Sequence, residues 1–259
     1  MMFPARFRTG QASAPRPLLI VAAKVPSPGR VKTRLAPLVD HNEAALLARA
    51  FLTDTLALAA SPALADIDVW LALDGDPAAL APTDDDADRE PARLPFTIAQ
   101  VGNSLGERLV HMMEAGFETD RPAVCVIGTD APHLPGAFLR EAFGRLTPVA
   151  WSRDAPAGSP VSLADVALGP SDDGGYYLVG TTRPQPGLFD CVPWSSPNVL
   201  PVTRERARAS RLGVASLPPW YDVDTPDDLR RLHRDLARGV CHAPATRMAL
   251  DRLFAGAVL

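Results

Sequence analysis

The feature that most restricts the fold is a set of short, unbroken apolar runs, each ending in a polar loop. They are Leu18 to Ala23 (LLIVAA), Val69 to Leu73 (VWLAL) and Ala123 to Gly128 (AVCVIG). Runs of this length, bounded by Pro and Gly, predict strands buried on both faces rather than a sheet with one wet side. Helical signals fill the intervals. Asn42 to Ala60 predicts a helix with Leu47, Phe51 and Leu58 near one face. Ser104, with Glu107 three residues later, predicts a helix start closed by a capping box. Pro135 to Leu146 predicts a third helix, with Phe138, Leu139, Ala142 and Leu146 toward the core. Strands alternating with helices predict an α/β fold, a three-layer α/β/α sandwich around a mostly parallel sheet.

Further elements follow from local chemistry. Phe96 to Gln100 predicts a strand, as do Asp165 to Leu168 and Tyr176 to Val179 around a tight turn, and Tyr221 to Asp224 as the last. Thr225, Pro226, Asp227, Asp228 and Gly239 frame a helix between its cap and its stop, which explains Asp227 and Asp228 as helix N-terminal acids. Residues 1–17 are expected to be a disordered leader and 76–95 an exposed loop. One domain is expected over 18–240, with a Pro-rich flap at about 183–220 holding a short Arg-rich helix, and a C-terminal extension over 241–259.

Charge narrows the function. Lys plus Arg is 26 against 30 for Asp plus Glu, a net charge of -4, which disfavours a broad basic face for nucleic acid. The three cysteines show neither zinc spacing nor a disulfide framework, as expected in a reducing cytoplasm. No apolar stretch is long enough to span a bilayer, and the N-terminus lacks an apolar signal core. The only two lysines, Lys24 and Lys32, lie in one short loop, the first candidate site.

Four polar clusters follow predicted strands, where open α/β sheets bind ligands. The first, Lys24 to Arg34, presents Lys24, Arg30, Lys32 and Arg34 on a loop shaped by Pro26, Pro28 and Gly29. Such cations repel one another unless anions are bound, and phosphates suit them. It has neither the GxxxxGK[ST] nor the GxGxxG pattern. The second is GTDAPHLP, in which Asp130 either holds Mg2+ or Mn2+ against a diphosphate or caps the following helix; His133 reads as a satisfied or solvent-facing residue. The third, GPSDDGGYYLVG, reads as a hairpin whose tip approaches a ligand through Gly174 and Gly175. Asp172 and Asp173 project differently, so one of them is the catalytic candidate, and of Tyr176 and Tyr177 one faces the ligand. The fourth places Asp222 and Asp224 on one face, where either can complete a metal site with Asp130. Arg108, at a helix start after the third strand, is a further nucleotide contact. Trp194 and Trp220 read as packing, with ring stacking on an acceptor as the other role.

The segments KVPSPGRVKTRLAP, VGNSLGERL, VIGTDAPHLP, GPSDDGGYYLVG and DVDTPDDL, in this order, resemble the radical-SAM/selenodomain-associated transferase family, whose members include arsenosugar-biosynthesis glycosyltransferases. They are more distantly similar to 2-phospholactate guanylyltransferases and molybdenum-cofactor nucleotidyltransferases. The resemblance implies a GT-A, nucleotide-diphospho-sugar-transferase-like fold and a divalent metal, Mg2+ or Mn2+, on Asp130 with Asp224 as second ligand. It matches Lys24, Arg30, Lys32 and Arg34 to the phosphate-loop positions. The family pattern reads like GTDSPDLP; here Ala131 and His133 replace Ser and Asp, while Asp130 is kept.

Three readings stand at this stage. One is a metal-dependent glycosyltransferase using a nucleoside-diphosphate sugar and a small-molecule acceptor. The second is a nucleotidyltransferase that uses an NTP and releases pyrophosphate. The third is a non-catalytic nucleotide-binding protein. All three expect a nucleotide partner, no nucleic acid and no membrane span.

Overall fold

The computed structural model describes residues 15–80, 94–147 and 163–255. The apolar run at Leu18 is central to it. Strand β1 (Leu18–Lys24) pairs in parallel with β2 (Asp68–Asp74) on one side and β4 (Val124–Ile127) on the other. Beyond β2 lies β3 (Phe96–Ala99), also parallel. Beyond β4 come β6 (Tyr176–Thr181), β5 (Val166–Pro170) and β7 (Val214–Ser216), giving the order β3-β2-β1-β4-β6-β5-β7. β6 runs antiparallel to both β4 and β5. Its beginning therefore lies at the rim where β1 and β4 end, and this brings the Asp-Asp-Gly-Gly turn to that rim.

Alternation along β1 sends its side chains into two cores. Leu18 and Ile20 pack with Val124, Val126, Met112 and Met113, the last two from α2 (Leu105–Phe117). Leu19 and Val21 pack with Leu52 from α1 (His41–Ala59) and with Leu139 and Phe143 from α3 (Gly136–Leu146). Burying one such side chain fully is worth about 2 kcal/mol, so a sheet covered on both faces is the favoured outcome. A third cluster joins Leu47 and Phe51 of α1 to Leu229, Leu232 and Leu236 of α5 (Pro226–Ala237) and Leu250 of α6 (Pro244–Leu253). The Asp54 carboxylate, only 4% exposed, accepts from the N–H groups of Ala245 and Thr246 at 2.9 and 2.7 Å, which caps α6 and ties it to α1. No described helix is long and apolar enough to cross a membrane.

Three local expectations change. The region expected as a flap supplies α4 (Val199–Ala209) but also β7, an edge strand of the sheet itself. Tyr221 to Asp224 forms no strand. Its backbone is used on loops, Val223 N–H donating to the Asp130 carbonyl at 2.8 Å, and only Trp220 bridges to Ser171. At α2 the Ser104 hydroxyl accepts from the Glu107 N–H, but the Glu107 carboxylate accepts from Asn103 rather than closing the box on Ser104. The box at Thr225 and Asp228 is complete. Residues 1–14 of the expected leader and 81–93 of the expected loop lie outside the described residues, while Arg16 and Pro17 bond to the segment 66–68.

Candidate active site

A cleft of about 890 Å³ opens at the carboxyl ends of β1 and β4. That is ample for a nucleotide and much of a second substrate. One wall is the loop after β1. Val31 and Leu35 are buried and pin it, while Lys24, Arg30 and Arg34 stay exposed on the cleft. The side chains of Lys24 and Arg30 have no hydrogen-bonding or ionic partner among the described residues. The Arg34 guanidinium is 70% exposed and lies 4.0 Å from an Asp224 oxygen.

Lys32 departs from its expected place. It takes a left-handed backbone conformation (φ 47°), and its side chain is 6% exposed. Its ammonium donates to Asp130 Oδ1 at 2.5 Å, the Val223 carbonyl at 2.7 Å and Asp224 Oδ1 at 3.1 Å. Burial opposes its charge, but the Asp130 and Asp224 carboxylates outweigh it and hold the pKa above the ordinary lysine value. The structure thus sets one of the four basic-loop cations between the two carboxylates expected to bind metal, because the loop folds back across the 222–224 segment.

The opposite wall is acidic. Asp130 does not cap α3, whose cap position is Pro135. Asp222 accepts from the Ser171 hydroxyl at 2.7 Å. Burial pushes its pKa up to about 7; the Ser171 bond opposes this, while Asp130, Asp173 and Asp224 add to it. Four carboxylates therefore share one corner of the cleft. The hairpin tip separates its two acids. Asp173 lines the cleft and accepts from its own turn at Gly175 N–H, 2.8 Å away. Asp172 turns to Arg231 at 2.8 Å, whose guanidinium lies 3.6 Å over the Tyr221 ring, and Tyr221 donates to Asp235. Asp172 is thus an anchor of the hairpin on α5, and Asp173 is the acid that a ligand can meet.

Gly175 and Tyr176 line the cleft, but the close approach at Gly174 is made by this chain itself. Gly174 has φ +89°, and a Cβ there would stand 2.3 Å from the Pro197 carbonyl oxygen. Tyr177 is buried with its hydroxyl on the Pro218 carbonyl. Arg108 lines the cleft, yet it already donates to Asp74 and the Gly102 carbonyl, at 2.9 and 3.1 Å. Trp194 borders the cleft edge-on to Tyr176, while Trp220 packs against Phe138, His133 and Tyr221. His133 is 2% exposed, and burial lowers its pKa to about 4, with Asp235 opposing and Arg231 assisting. Neither ring nitrogen has a protein partner among the described residues.

The donor set fits a hard divalent cation. Asp130 and Asp224 present carboxylate oxygens that already hold a cation, the Lys32 ammonium, between them. Among the described residues no three His, Cys, Asp or Glu side chains are grouped so as to hold a metal ion by themselves. A divalent ion on Asp130 and Asp224 would therefore need phosphate oxygens and water to complete its shell, as Mg2+ and Mn2+ do. Two participants escaped sequence reasoning, the Lys32 counter-ion and Ser171. Both act through contacts between residues far apart in the chain, and only the Ser171 position beside the two acids hinted at a role.

Residues 56–196 match the family described as "Uncharacterized protein conserved in bacteria (DUF2064)", more than half of the chain. The chain belongs to this family. It is also similar to a crystal structure from Desulfovibrio desulfuricans G20, provisionally assigned as a nucleotide-diphospho-sugar transferase. That pair shares 32% identity at a TM-score of 0.72, covering 92% of this chain and 96% of the other. The fold is thus nucleotide-diphospho-sugar-transferase-like. More distant is 4-diphosphocytidyl-2C-methyl-D-erythritol synthase from Anaerococcus prevotii DSM 20548, with 8% identity, TM-score 0.49 and coverage of 87% and 100%. A Mycobacterium tuberculosis H37Rv protein solved with manganese shows 19% identity, TM-score 0.45 and coverage of 85% and 98%. No curated protein is similar enough to match.

Proposed function

We propose that the chain is a metal-dependent glycosyltransferase that takes a nucleoside-diphosphate sugar as donor and passes the sugar to a small-molecule acceptor. The observation that carries this reading is the division of charge across one cleft, exposed Lys24, Arg30 and Arg34 on one wall and Asp130, Asp173, Asp222 and Asp224 on the other. Departure of a nucleoside diphosphate builds negative charge on phosphate oxygens, and cations fixed in place beforehand favour that state most. The three basic side chains bind and orient the diphosphate. A Mg2+ or Mn2+ ion held by Asp130 and Asp224 would supply Lewis acidity to the same oxygens. Asp173, anchored by Gly175, orients the acceptor hydroxyl and takes up its proton. Trp194 and Tyr176 offer apolar ring faces beside it. The link to the arsenosugar branch rests on the motifs alone.

One observation favours a second reading. Three exposed cations also suit a triphosphate, as in a nucleotidyltransferase that releases pyrophosphate. Thermal unfolding with NTPs, NDPs and NDP-sugars, with and without Mn2+, separates the two. A ligand at a hundred times its dissociation constant adds about 2.7 kcal/mol, a readily visible shift. The expected outcome is Mn2+-dependent stabilisation by an NDP and its NDP-sugar beyond that by the NTP, abolished by Asp130→Ala. NTP preference selects the second reading, and no response to any nucleotide overturns both.

A further inference from the structure

Lys32 sits where a metal would have to sit. Its ammonium has three oxygen acceptors, and two of them are the Asp130 and Asp224 oxygens available to a divalent ion. Two cations cannot share that position, since like charges at contact distance repel strongly in a partly buried site. The backbone on either side of Lys32 is fixed by buried Val31 and Leu35, yet the side chain is a flexible four-carbon stem. It springs from the same loop as Arg30 and Arg34, on the wall where phosphates would lie. A nearby anion therefore offers the ammonium an alternative partner without any refolding of the loop.

We propose that Lys32 and the divalent ion are alternative occupants of the Asp130–Asp224 pair, so that the site accepts its metal only when a nucleotide phosphate draws the ammonium away. This rests on the metal-dependent reading given above. Lys32 is then a positioning residue with two stations. In the resting protein it offsets one of the two carboxylate charges and keeps free metal out. In the loaded protein it joins the basic wall, and the acids it leaves carry enough negative charge for a dication. Metal and nucleotide bind together, each strengthening the other, and by reciprocity the coupling is the same in either order.

The test follows Mn2+ binding by the loss of its free-ion electron paramagnetic resonance signal, with the full chain and a panel of nucleoside diphosphates. Wild type is expected to bind Mn2+ weakly alone and about tenfold or more tightly with a diphosphate, within the usual range for coupled sites. Lys32→Met is expected to bind Mn2+ tightly without nucleotide, and Asp130→Asn to remove binding in both backgrounds. A second readout needs no variant of Lys32. With only two lysines in the chain, a sample labelled at lysine 13Cε gives two side-chain signals, assigned by Lys24→Arg. The Lys32 signal is expected to move with Mg2+ plus diphosphate and to stay with Mg2+ alone. Equal Mn2+ affinity of wild type and Lys32→Met without nucleotide, or a Lys32 signal that shifts fully with Mg2+ alone, overturns the proposal and leaves the metal-dependent reading standing. Absence of Mn2+ binding with every diphosphate overturns both.

Discussion

On the acidic wall every carboxylate has a donor. Asp130 and Asp224 hold Lys32, Asp222 holds Ser171, and Asp173 holds its own turn. On the basic wall the heads of Lys24 and Arg30 have no such partner among the described residues, and that of Arg34 stands 4.0 Å from its nearest carboxylate oxygen. The acidic side is organised before anything binds. The basic side is organised only in its backbone, and the heads of Lys24 and Arg30 are left without a described partner. The contrast teaches that the cleft is asymmetric in readiness as well as in sign, and it can be broken wall by wall.

The largest effect should come from the unpartnered wall. Removing both Lys24 and Arg30 by alanine substitution deletes two charge-assisted contacts, so nucleotide affinity should fall by roughly a hundredfold, about 3 kcal/mol, with folding stability unchanged. Titration at low and at high salt checks it; a loss of thermal stability instead would mean that these cations serve the fold. Next comes pH, through the His133 beneath the acidic wall. Its folded pKa of about 4 lies below its ordinary value of 6.5, so the folded state disfavours the proton. Its contribution is whole above about pH 7 and is lost as pH falls from 6.5 toward 4, by roughly 2.5 kcal/mol at pH 4.5. Urea unfolding at pH 7.5 and 4.5 should show that loss, and His133→Leu should remove most of the pH dependence assigned to this residue.

Backbone tolerance is the third test. Gly174→Ala combines a left-handed conformation with a contact on the Pro197 carbonyl, so it should destabilise by about 2 kcal/mol, read from the unfolding midpoint. The smallest effect belongs to Asp172. Its pair with Arg231 is about half exposed on both sides, so Asp172→Asn should reduce stability by less than about 1 kcal/mol. It should leave nucleotide binding unchanged, while Asp173→Asn should impair acceptor use. Equal loss of acceptor use in both variants would mean that the hairpin does not divide its two acids by role.

The sequence made the buried strands legible because six or so consecutive apolar residues have few other places to go. It made the α5 cap legible because Thr225 and Asp228 act across three residues. It did not reveal β7, whose Val214, Ala215 and Ser216 show no apolar pattern and are held by pairing with β5. Nor did it reveal that Tyr221 to Asp224 would join no ladder, since alternation reports side-chain direction and not the partner of each N–H. The same limit governs the site. Motifs placed these charges after strands of one sheet, but Lys32 and its two acids are 98 and 192 residues apart in sequence, and only the fold decides which cation meets which anion.

The Asp54 bond to α6 has a consequence of its own. Grease alone would let the last helix slide or peel off gradually. A buried carboxylate that grips two specific N–H groups makes attachment all-or-none, because a detached helix strands a charge in the interior. Trimming the chain before Pro244 should therefore loosen α1, the same helix whose Phe51 ring lies 5.0 Å below the Lys32 ammonium. The far end of the polypeptide is thereby made a guardian of the cleft floor.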